Sequence, residues 1–331
     1  MTATRSLVRK LLLSTTMLAG GLASLFLSGF TAAAADLPFV KARKAPEPLD
    51  PPAVDGWNAK VDGYGGSIAN RSIAGGQGSI TAPLPGPFGI QIDGGGGRLD
   101  GRSFNQIAGH LFWRNPSQAL FGIYASNTYF NQFGGVNVSH VGAEGELYWG
   151  RFTLQGIAGV EFGNSASSTT TALLIVPPAG AAPGVATTST FTQGFDVKTR
   201  FFDMVNLKYY FTDDANAYVG HRFLGDKNAL ALGTEVALPL SRGVMGSAFI
   251  EGRVGEGDFH GIWGGIKFYF GDGDKPLIAR HRTQDPNNWM PDNLFGILNS
   301  STSSGGSSST LFCNPGDVLT DGVCVTPEGG G

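Results

Sequence analysis

The chain has 331 residues and a formal net charge of −3, so it lacks the strongly basic balance of a nucleic-acid-binding protein. Its mean hydropathy is near zero, and beyond the N-terminal segment no apolar run of about 20 residues occurs, which excludes a helical membrane protein. Glycine is abundant, with 51 residues, and phenylalanine contributes 23. This composition favours strands that have one apolar face and one polar face.

The N-terminus predicts export. Three basic residues precede a largely apolar stretch at 11–30, and the alanines at 32–35 supply the small side chains that a signal peptidase requires. We expect a signal peptide over residues 1–35; an uncleaved anchor helix is the alternative, because the apolar stretch is nearly long enough to span a bilayer. Cleavage removes three basic residues and no acidic one, so the net charge changes from −3 to −6. Residues 36–56 would then form a proline-rich periplasmic segment.

From residue 57 to 270 the sequence alternates in polarity over segments of roughly ten residues, the length that a tilted strand needs to cross a bilayer. We therefore predict an all-β fold, a transmembrane antiparallel up-and-down β-barrel of about twelve strands. Glycines weaken the first two strands, so ten is the fallback. The predicted strands span residues 57–69, 73–82, 88–96, 104–114, 118–129, 138–149, 151–162, 195–211, 216–224, 229–238, 244–253 and 259–270.

A secreted β-sandwich would share this alternation, and the lengths of the connections argue against it. Tight turns at one end and longer loops at the other are typical of outer-membrane barrels. Turn-forming residues predict short connections at 83–87, 115–117, 150, 213–214 and 239–242. Longer loops are expected at 70–72, 97–103, 131–137, 163–194, 225–228 and 255–258, and the Ser/Thr-rich stretch 163–194 should be a surface loop.

The charged face of the strands should line the lumen, because a charge at mid-depth on the lipid face costs about 2–4 kcal/mol. Asp203 falls on the apolar face instead, and we expect a β-bulge to turn it inward. The strongest lumen-lining candidates are Glu144, Glu146, Glu161, Lys198, Arg200, Lys208, Arg222, Glu235, Glu251 and Arg253. Lys60, Asp62, Asp93, Arg114 and Lys267 share the same face.

The signs of these charges are unevenly distributed along the chain. An acidic group on two consecutive strands is followed by a basic group on the next: Glu144, Glu146 and Glu161, then Lys198, Arg200 and Lys208. Opposed charged walls tune the selectivity of an aqueous pore. In a narrow barrel the same residues would pair across the lumen and close it, because charges in a low dielectric need partners. The sequence leaves both alternatives open.

Residues 271–331 should form a periplasmic tail. A Ser/Gly stretch at 300–309 predicts a linker. Cys313 and Cys324 are the only cysteines, and in an oxidising compartment they predict a small disulfide loop rather than a metal site, which would need more ligands.

Enzyme signatures are not recognisable in the sequence. We find no G-x-S-x-G, H-E-x-x-H, P-loop or Rossmann pattern. The barrel histidines at positions 110, 140, 221 and 260 are the candidate bases, and His140 follows Ser139; neighbours on a strand point to opposite faces, which disfavours a nucleophile and base pair. We expect no catalytic activity, cofactor or metal.

Residues 34–38, Ala-Ala-Asp-Leu-Pro, followed by Lys41 and prolines at 46–52, resemble the opening of small outer-membrane β-barrel proteins of alphaproteobacteria. Segments 105–127 and 144–163 resemble their barrel repeats. The resemblance implies the fold, the bacterial outer membrane and a porin-like or structural role, with membrane lipids and lipopolysaccharide as surroundings. We expect a narrow channel for small polar solutes; the alternative is a closed structural or surface-interaction barrel that exposes residues 163–194.

Overall fold

The computed structural model describes residues 51–271 and 274–327. The predicted signal peptide and most of the 36–56 segment lie outside this range. Twelve strands form a closed antiparallel barrel, as predicted. Its wall consists of β1 Asn58–Ile68, β2 Arg71–Pro83, β3 Phe88–Leu99, β4 Arg102–Asn115, β5 Ala119–Phe130, β6 Val136–Trp149, β7 Phe152–Gly163, β10 Arg200–Thr212, β11 Ala215–Leu224, β12 Lys227–Ser241, β13 Val244–Gly255 and β14 His260–Phe270.

Pairing between the first and last wall strands closes the barrel. The β1–β14 register runs from Ala59 opposite Phe270 to Ile68 opposite Gly261. Closure leaves no free strand edge in the wall. The glycine-rich first hairpin is part of this wall, so the fallback of ten strands does not apply. Glycine is required where the strands approach closely: a Cβ on Gly265 would overlap the Gly63 carbonyl.

The two faces of the wall differ sharply in polarity. On β14, Trp263 and Tyr269 point inward and are 2% and 1% exposed, whereas Ile262 and Ile266 point outward and are 56% and 58% exposed. This confirms the predicted alternation of the last strand. Around the outer surface, exposed aliphatic side chains form a continuous belt that includes Val61, Ile80, Ile92, Ile107, Ile123, Val141, Val160, Leu207, Val219, Leu232 and Ile250.

Exposed aromatic side chains flank this belt at the ends of the strands. Close to the end where the chain enters β1 and leaves β14, which we call the turn end, they include Trp57, Phe88, Trp149, Phe152, Tyr209, Phe211 and Phe270. At the opposite end they are Tyr129, Phe162 and Phe201. Aromatic girdles beside an apolar belt are the pattern of a barrel that spans a bilayer.

The predicted difference in connection length is only partly correct. At the end opposite the turn end, residues 69–70, 100–101 and 225–226 form two-residue turns instead of longer loops. Positive φ angles at Asn70, Asp100 and Asp226 allow these tight turns. The asymmetry rests mainly on one connection, residues 164–199, and we call this end the hairpin end.

That connection is not an irregular loop. It contains two long strands, β8 Ser165–Val176 and β9 Gly184–Asp196, which lie outside the wall. The predicted Ser/Gly linker is also wrong, since it forms β15 Ser301–Phe312, which pairs with β9 over its whole length. The three strands form a separate sheet in the order β15-β9-β8. A partner more than 100 residues away supplies the hydrogen bonds, and local composition does not reveal such a partner.

The C-terminal segment runs through the barrel, which corrects the predicted tail at the turn end. After β14 the chain forms helix α1 Leu277–Thr283 at that end, crosses the lumen as helix α2 Met290–Leu298, and emerges at the hairpin end as β15. Beyond it, β16 Val318–Thr320 and β17 Val323–Val325 form a small hairpin, where the predicted Cys313–Cys324 disulfide is present. Residues 276–300 are called the plug segment below.

Asp203 also differs from its prediction. The register of β10 is continuous past this residue, so no bulge turns it inward, and it lies on the outer face beside His221. Its Oδ1 is 2.7 Å from His221 Nδ1. Asp203 lies close to the start of β10, near the rim of the barrel at the hairpin end. A charge on the outer face costs less there than at mid-depth, and His221 provides a polar neighbour.

The strand pairing predicts that β8 and β9 can be removed without loss of the barrel. β7 and β10 pair directly, from Glu161 opposite Arg200 to Phe152 opposite Tyr209. Replacing residues 165–198 with a short turn should therefore leave a heat-modifiable barrel on gel electrophoresis, since the wall keeps all its hydrogen bonds. Deleting β13 and β14 should abolish assembly, because unpaired edges would be left in lipid. Failure of the first variant to assemble would show that the outer hairpin stabilises the wall.

Candidate functional site: a lumen filled by the plug segment

Helix α2 occupies the half of the lumen near the hairpin end. Its side chains Leu294, Phe295, Ile297 and Leu298 are at most 1% exposed. The Phe295 ring lies 4.5 Å from that of Phe259, between centroids. These residues belong to one buried apolar cluster with inward-facing side chains from strands around the barrel. The lumen therefore has a packed apolar core at this end rather than an aqueous path.

The sequence of α2 suits its position. Asn288 accepts a hydrogen bond from the Met290 backbone N–H at 2.9 Å and Pro291 lies in the first turn, where its missing N–H is tolerated. Asn299 ends the helix, and its side-chain amide donates to the Leu224 carbonyl at 2.8 Å. At Gly296 a Cβ would overlap the Glu161 carboxylate, so a larger residue would displace Glu161 from its contacts with His140 and Arg200.

The strongest polar contact of α2 is made by Asp292. Arg253 donates from Nε to Asp292 Oδ1 at 2.6 Å and from Nη2 to Oδ2 at 2.8 Å, while Arg222 Nε donates to Oδ2 at 3.0 Å. All three residues are at most 3% exposed. The guanidinium of Arg253 also lies 4.7 Å from the Trp263 ring centroid. One carboxylate of the plug segment thus compensates two buried cations of the wall.

Further polar contacts tie the plug segment to the wall strands β1 and β4. Lys60 Nζ donates to Asp285 Oδ2 at 2.8 Å and to the Pro286 carbonyl at 2.6 Å. Gln106 donates to the Met290 carbonyl at 2.5 Å. Arg114, which is fully buried, donates to the Gln284 carbonyl at 3.2 Å.

At the hairpin end a charged cluster surrounds the exit of the plug segment. Glu161 accepts from Arg200 Nε at 2.6 Å and is 2.9 Å from His140 Nε2. Arg200 also donates to the hydroxyl of Ser300, the last residue of the plug segment. The backbone N–H of Asp196 then donates to the Ser300 carbonyl at 2.9 Å, which starts the pairing of β9 with β15.

At the turn end, α1 covers the mouth of the barrel. Arg282 donates to the carbonyls of Gly150 and Phe152 at 3.0 and 2.9 Å. The backbone N–H of Leu277 donates to Asp214 Oδ1 at 2.9 Å, and the Leu277 side chain packs with Met245. Both helices of the plug segment are thus bound to the ends of wall strands.

His281 on α1 lies between two wall tyrosines. Its Nδ1 is 2.7 Å from the Tyr210 hydroxyl and its Nε2 is 3.1 Å from the Tyr269 hydroxyl, which donates to Glu235 at 2.7 Å. This arrangement fits a neutral imidazole that accepts from Tyr210 and donates to Tyr269. Burial, and next the positive charge of Lys208, hold the pKa of His281 well below its ordinary value.

Between α1 and α2 there remains a polar cavity of about 50 Å³, lined among others by Lys208, Glu146, Glu235 and Lys267. Since one water molecule needs roughly 10–15 Å³ of such space, the cavity has room for a few waters and no larger solute. The described lumen is closed at both ends by protein.

The predicted lumen-lining residues lie inside the barrel with one exception. The inward-facing members are Glu144, Glu146, Glu161, Arg200, Lys208, Arg222, Glu235, Glu251 and Arg253. Lys198 was wrongly predicted: it lies outside the wall, is 71% exposed and pairs with Asp196 at 3.5 Å. The reason is that β10 begins at Arg200, so Lys198 precedes the strand in which we placed it.

The remaining interior charges are joined mainly to neighbours on the wall. His110 lies between Asp93 and Glu144, with Nε2 3.0 Å and Nδ1 2.7 Å from their carboxylates. Among the described residues, Glu161 and Arg200 form the only ion pair between the predicted acidic group and the predicted basic group. Sequence reasoning missed Asp285, Asp292 and Asn293, because they lie in a segment that we placed outside the barrel; an apolar run at 294–298 beside Asp292 was the available signal.

His140 does meet a serine, though not Ser139. Its Nδ1 is 3.4 Å from Ser126 Oγ, and Asn293 of α2 donates to the same oxygen at 3.1 Å. The helix therefore covers this pair. In the described part of the chain no group of three or more His, Cys, Asp or Glu side chains is arranged to hold a metal ion, and no described helix is long and apolar enough to cross a membrane.

No protein-family model and no curated protein matches the chain. Among solved structures it is similar to the Acinetobacter baumannii outer membrane protein Omp33, with 12% identity, a TM-score of 0.30, and coverage of 65% of this chain and 97% of that one. The β domain of the Bordetella autotransporter BrkA is 10% identical, with a TM-score of 0.34 and coverage of 65% of this chain and 98% of that one. The CymD monoaromatic hydrocarbon channel is 7% identical, with a TM-score of 0.34 and coverage of 67% of this chain and 90% of that one. These likenesses concern the fold alone.

Substitution of Asp292 tests whether the plug segment stabilises the barrel. Asp292→Asn removes the carboxylate that pairs with buried Arg222 and leaves Glu251 as the acidic neighbour of Arg253, so we expect the free energy of unfolding to fall by about 3–5 kcal/mol. Urea unfolding of the refolded protein, followed by Trp fluorescence, measures this. The control is Asp226→Asn, which removes the ion pair between Asp226 and Arg200. Because the Asp226 side chain is 66% exposed, this variant should lower the free energy of unfolding by less than about 1 kcal/mol. Equal losses in both variants would contradict the assigned role of Asp292.

The environment of His281 predicts a pH dependence. Because its pKa is lower in the folded protein than in the unfolded chain, acidification adds a proton to the unfolded state first. The contribution of His281 to the free energy of unfolding is therefore fully present above about pH 6.5. It decreases below that pH, by at most roughly 1.4 kcal/mol per pH unit. Between pH 7.5 and 5 the free energy of unfolding should fall less for the His281→Gln variant than for the unchanged protein, because glutamine cannot titrate. An identical pH dependence in the two proteins would argue against a neutral, buried imidazole.

Proposed function

We propose that this protein is a bacterial outer-membrane barrel. The support is the closed wall, whose outer surface carries an apolar belt between two sets of aromatic side chains, and whose charged residues face inward. A closed barrel satisfies every backbone hydrogen bond of a segment in lipid. The tight turns would then face the periplasm, and the hairpin end, which carries the β15-β9-β8 sheet, would face outward.

Within that setting, we propose that the protein is a closed structural and surface-interaction barrel. A single observation carries this choice: the plug segment crosses the lumen from end to end, where its Asp292 binds both Arg222 and Arg253 of the wall. The same segment delivers β15 and the disulfide hairpin to the hairpin end. In this proposal the wall anchors the protein in the membrane and encloses the plug segment, and the β15-β9-β8 sheet presents a surface at the hairpin end.

A narrow channel for small polar solutes is the second candidate. The observation in its favour is the polar cavity between the two helices, whose lining carries both signs of charge, as expected from the sequence. Conduction would require the plug segment to leave the lumen, because the cavity alone holds only a few waters. In this case the plug segment acts as a gate.

Thiol labelling and conductance together test the proposal. Both native cysteines form the disulfide, so an added cysteine provides the only reactive thiol in an otherwise unchanged chain. In intact cells an impermeant maleimide should label Ser308→Cys on β15 and should label Ser117→Cys, in a turn-end connection, only after lysis. The full chain should show no conductance in planar bilayers, whereas a variant ending at residue 275 should form an open pore.

Reversed labelling of the two positions would contradict the proposed orientation. Steady, solute-selective conductance by the full chain, with Ser308→Cys still labelled from outside, would favour the channel instead. If the shortened chain fails to assemble, Asp292→Asn in the full chain provides a second variant, and it should increase the frequency of open events.

A further inference from the structure

The β15-β9-β8 sheet at the hairpin end carries almost no charge. Asp196, where β9 returns to the wall, is the only charged residue in the three strands. A ligand that bears phosphate, sulfate or carboxylate groups would find no counter-charge on these strands, although ion pairing is the strongest contact with such groups. The composition therefore favours an uncharged partner.

One face of this sheet has an aromatic side chain at its centre. The strand register places Thr170, Phe191 and Gly305 in one row across the sheet. Because side chains alternate along a strand, the two rows on either side share this face. They consist of Ser168, Gln193 and Ser303, and of Ala172, Ser189 and Ser307. All nine residues are exposed, and we call them the platform face.

The ring of Phe191 is accessible although it lies on the central strand. Phe191 is 49% exposed, because Thr170 and Gly305 beside it are small. A Cβ on Gly305 would lie 3.4 Å from Phe191 Cδ2, which is still ordinary contact, and Gly305 does not have a positive φ angle. The fold therefore does not require glycine here, and its presence leaves one side of the ring uncovered.

The polar groups around the ring are available to a ligand. On the platform face, the hydroxyls and the one amide form no hydrogen bond with another described residue. Farther along the same side of the sheet, in contrast, Thr187 and Ser309 bond to each other at 2.9 Å. Each hydroxyl can both donate and accept. Ser and Gly around a rigid aromatic side chain provide adaptable hydrogen bonding in other binding surfaces.

A neutral sugar fits this arrangement of groups. A sugar ring has C–H groups on its faces, which pack against the electron-rich face of an aromatic ring, and hydroxyls on its rim. A protein partner would need a larger apolar centre, whereas the platform face offers only Phe191 and Ala172. A nucleic acid would need basic residues, which the three strands lack.

We infer that the platform face binds a neutral glycan, with one sugar ring stacked on Phe191 and its rim hydroxyls bonded to the surrounding Ser, Thr and Gln side chains. This names the partner of the proposed surface-interaction barrel and rests on that function, because the face meets external glycans only if the hairpin end faces outward.

A glycan array tests the chemistry of the platform face. The refolded full chain, held in lipid nanodiscs, is applied to neutral oligosaccharides and to sulfated or uronate-containing ones, and only neutral members should bind. For the neutral glycan that binds best, Phe191→Leu should weaken binding at least about tenfold, because leucine is apolar but has no aromatic face. Phe191→Tyr, which keeps the ring, should retain binding.

Two adjacent glycines provide a matched control for the face itself. Gly305→Val should weaken binding, because the added side chain covers the open side of the Phe191 ring. Gly306 lies on the opposite face, where the nearest atom to an added Cβ is Thr190 Oγ1 at 3.9 Å. Gly306→Val should therefore leave binding unchanged. Heat modifiability on gel electrophoresis shows that each variant contains an assembled barrel.

Several results would overturn the inference: equal binding of acidic and neutral glycans, unchanged binding by Phe191→Leu, or equal losses in the two valine variants. Absence of any glycan binding would also overturn it and would leave a protein as the partner of the sheet. The array uses purified protein, so it is independent of membrane orientation. Labelling of Ser308→Cys in cells reports that orientation separately.

Discussion

Two arginines buried inside a narrow barrel require a counter-charge, and the structure depends on how that requirement is met. Arg222 and Arg253 face the lumen from different strands and are each 1% exposed. The wall provides Glu251 beside Arg253, but the carboxylate that bridges both cations is Asp292 on a separate segment. Without that segment, two guanidinium groups would have to be hydrated inside the lumen. With it, the lumen is closed.

The path of the plug segment follows from this requirement. To place Asp292 between the arginines, the chain must re-enter the barrel from the end at which β14 leaves it. The residues before Asp292 bind Lys60 and Arg114, and the residues after it fill the apolar half of the lumen. Once the chain has passed the centre, it can continue only to the hairpin end, where β9 provides hydrogen bonds for β15.

The same constraint separates the two functions that an interior lined with both signs of charge can serve. In a wide pore such residues are hydrated, and they select ions. In a narrow barrel they form direct pairs, because desolvation makes an unpaired charge costly. Here Glu161 binds Arg200, Glu144 binds His110, and Asp292 binds Arg222 and Arg253. The interior therefore acts mainly as a binding surface for the plug segment.

Much of the wall could be predicted from the sequence. Alternation with a period of two is a local property, and it assigned residues such as Trp263, Ile262 and Glu161 to the correct face, because a wrong face would expose charge to lipid. The close cysteine pair likewise predicted its own disulfide. Where the pattern was interrupted, at Lys198 and Asp203, the prediction was wrong by a strand boundary or a bulge.

Only the tertiary structure decided where the plug segment and the outer sheet lie. The Ser/Gly stretch of β15 has the composition of a linker, and it becomes a strand because β9, distant in sequence, offers unpaired backbone groups. The apolar run at 294–298 indicates a buried segment beside Asp292 but does not place it in the lumen; Asp292 is a lumen residue because two arginines from distant strands converge on it. Contacts of this kind depend on three-dimensional closure of the barrel, whereas polarity alternation depends only on neighbouring residues along one strand.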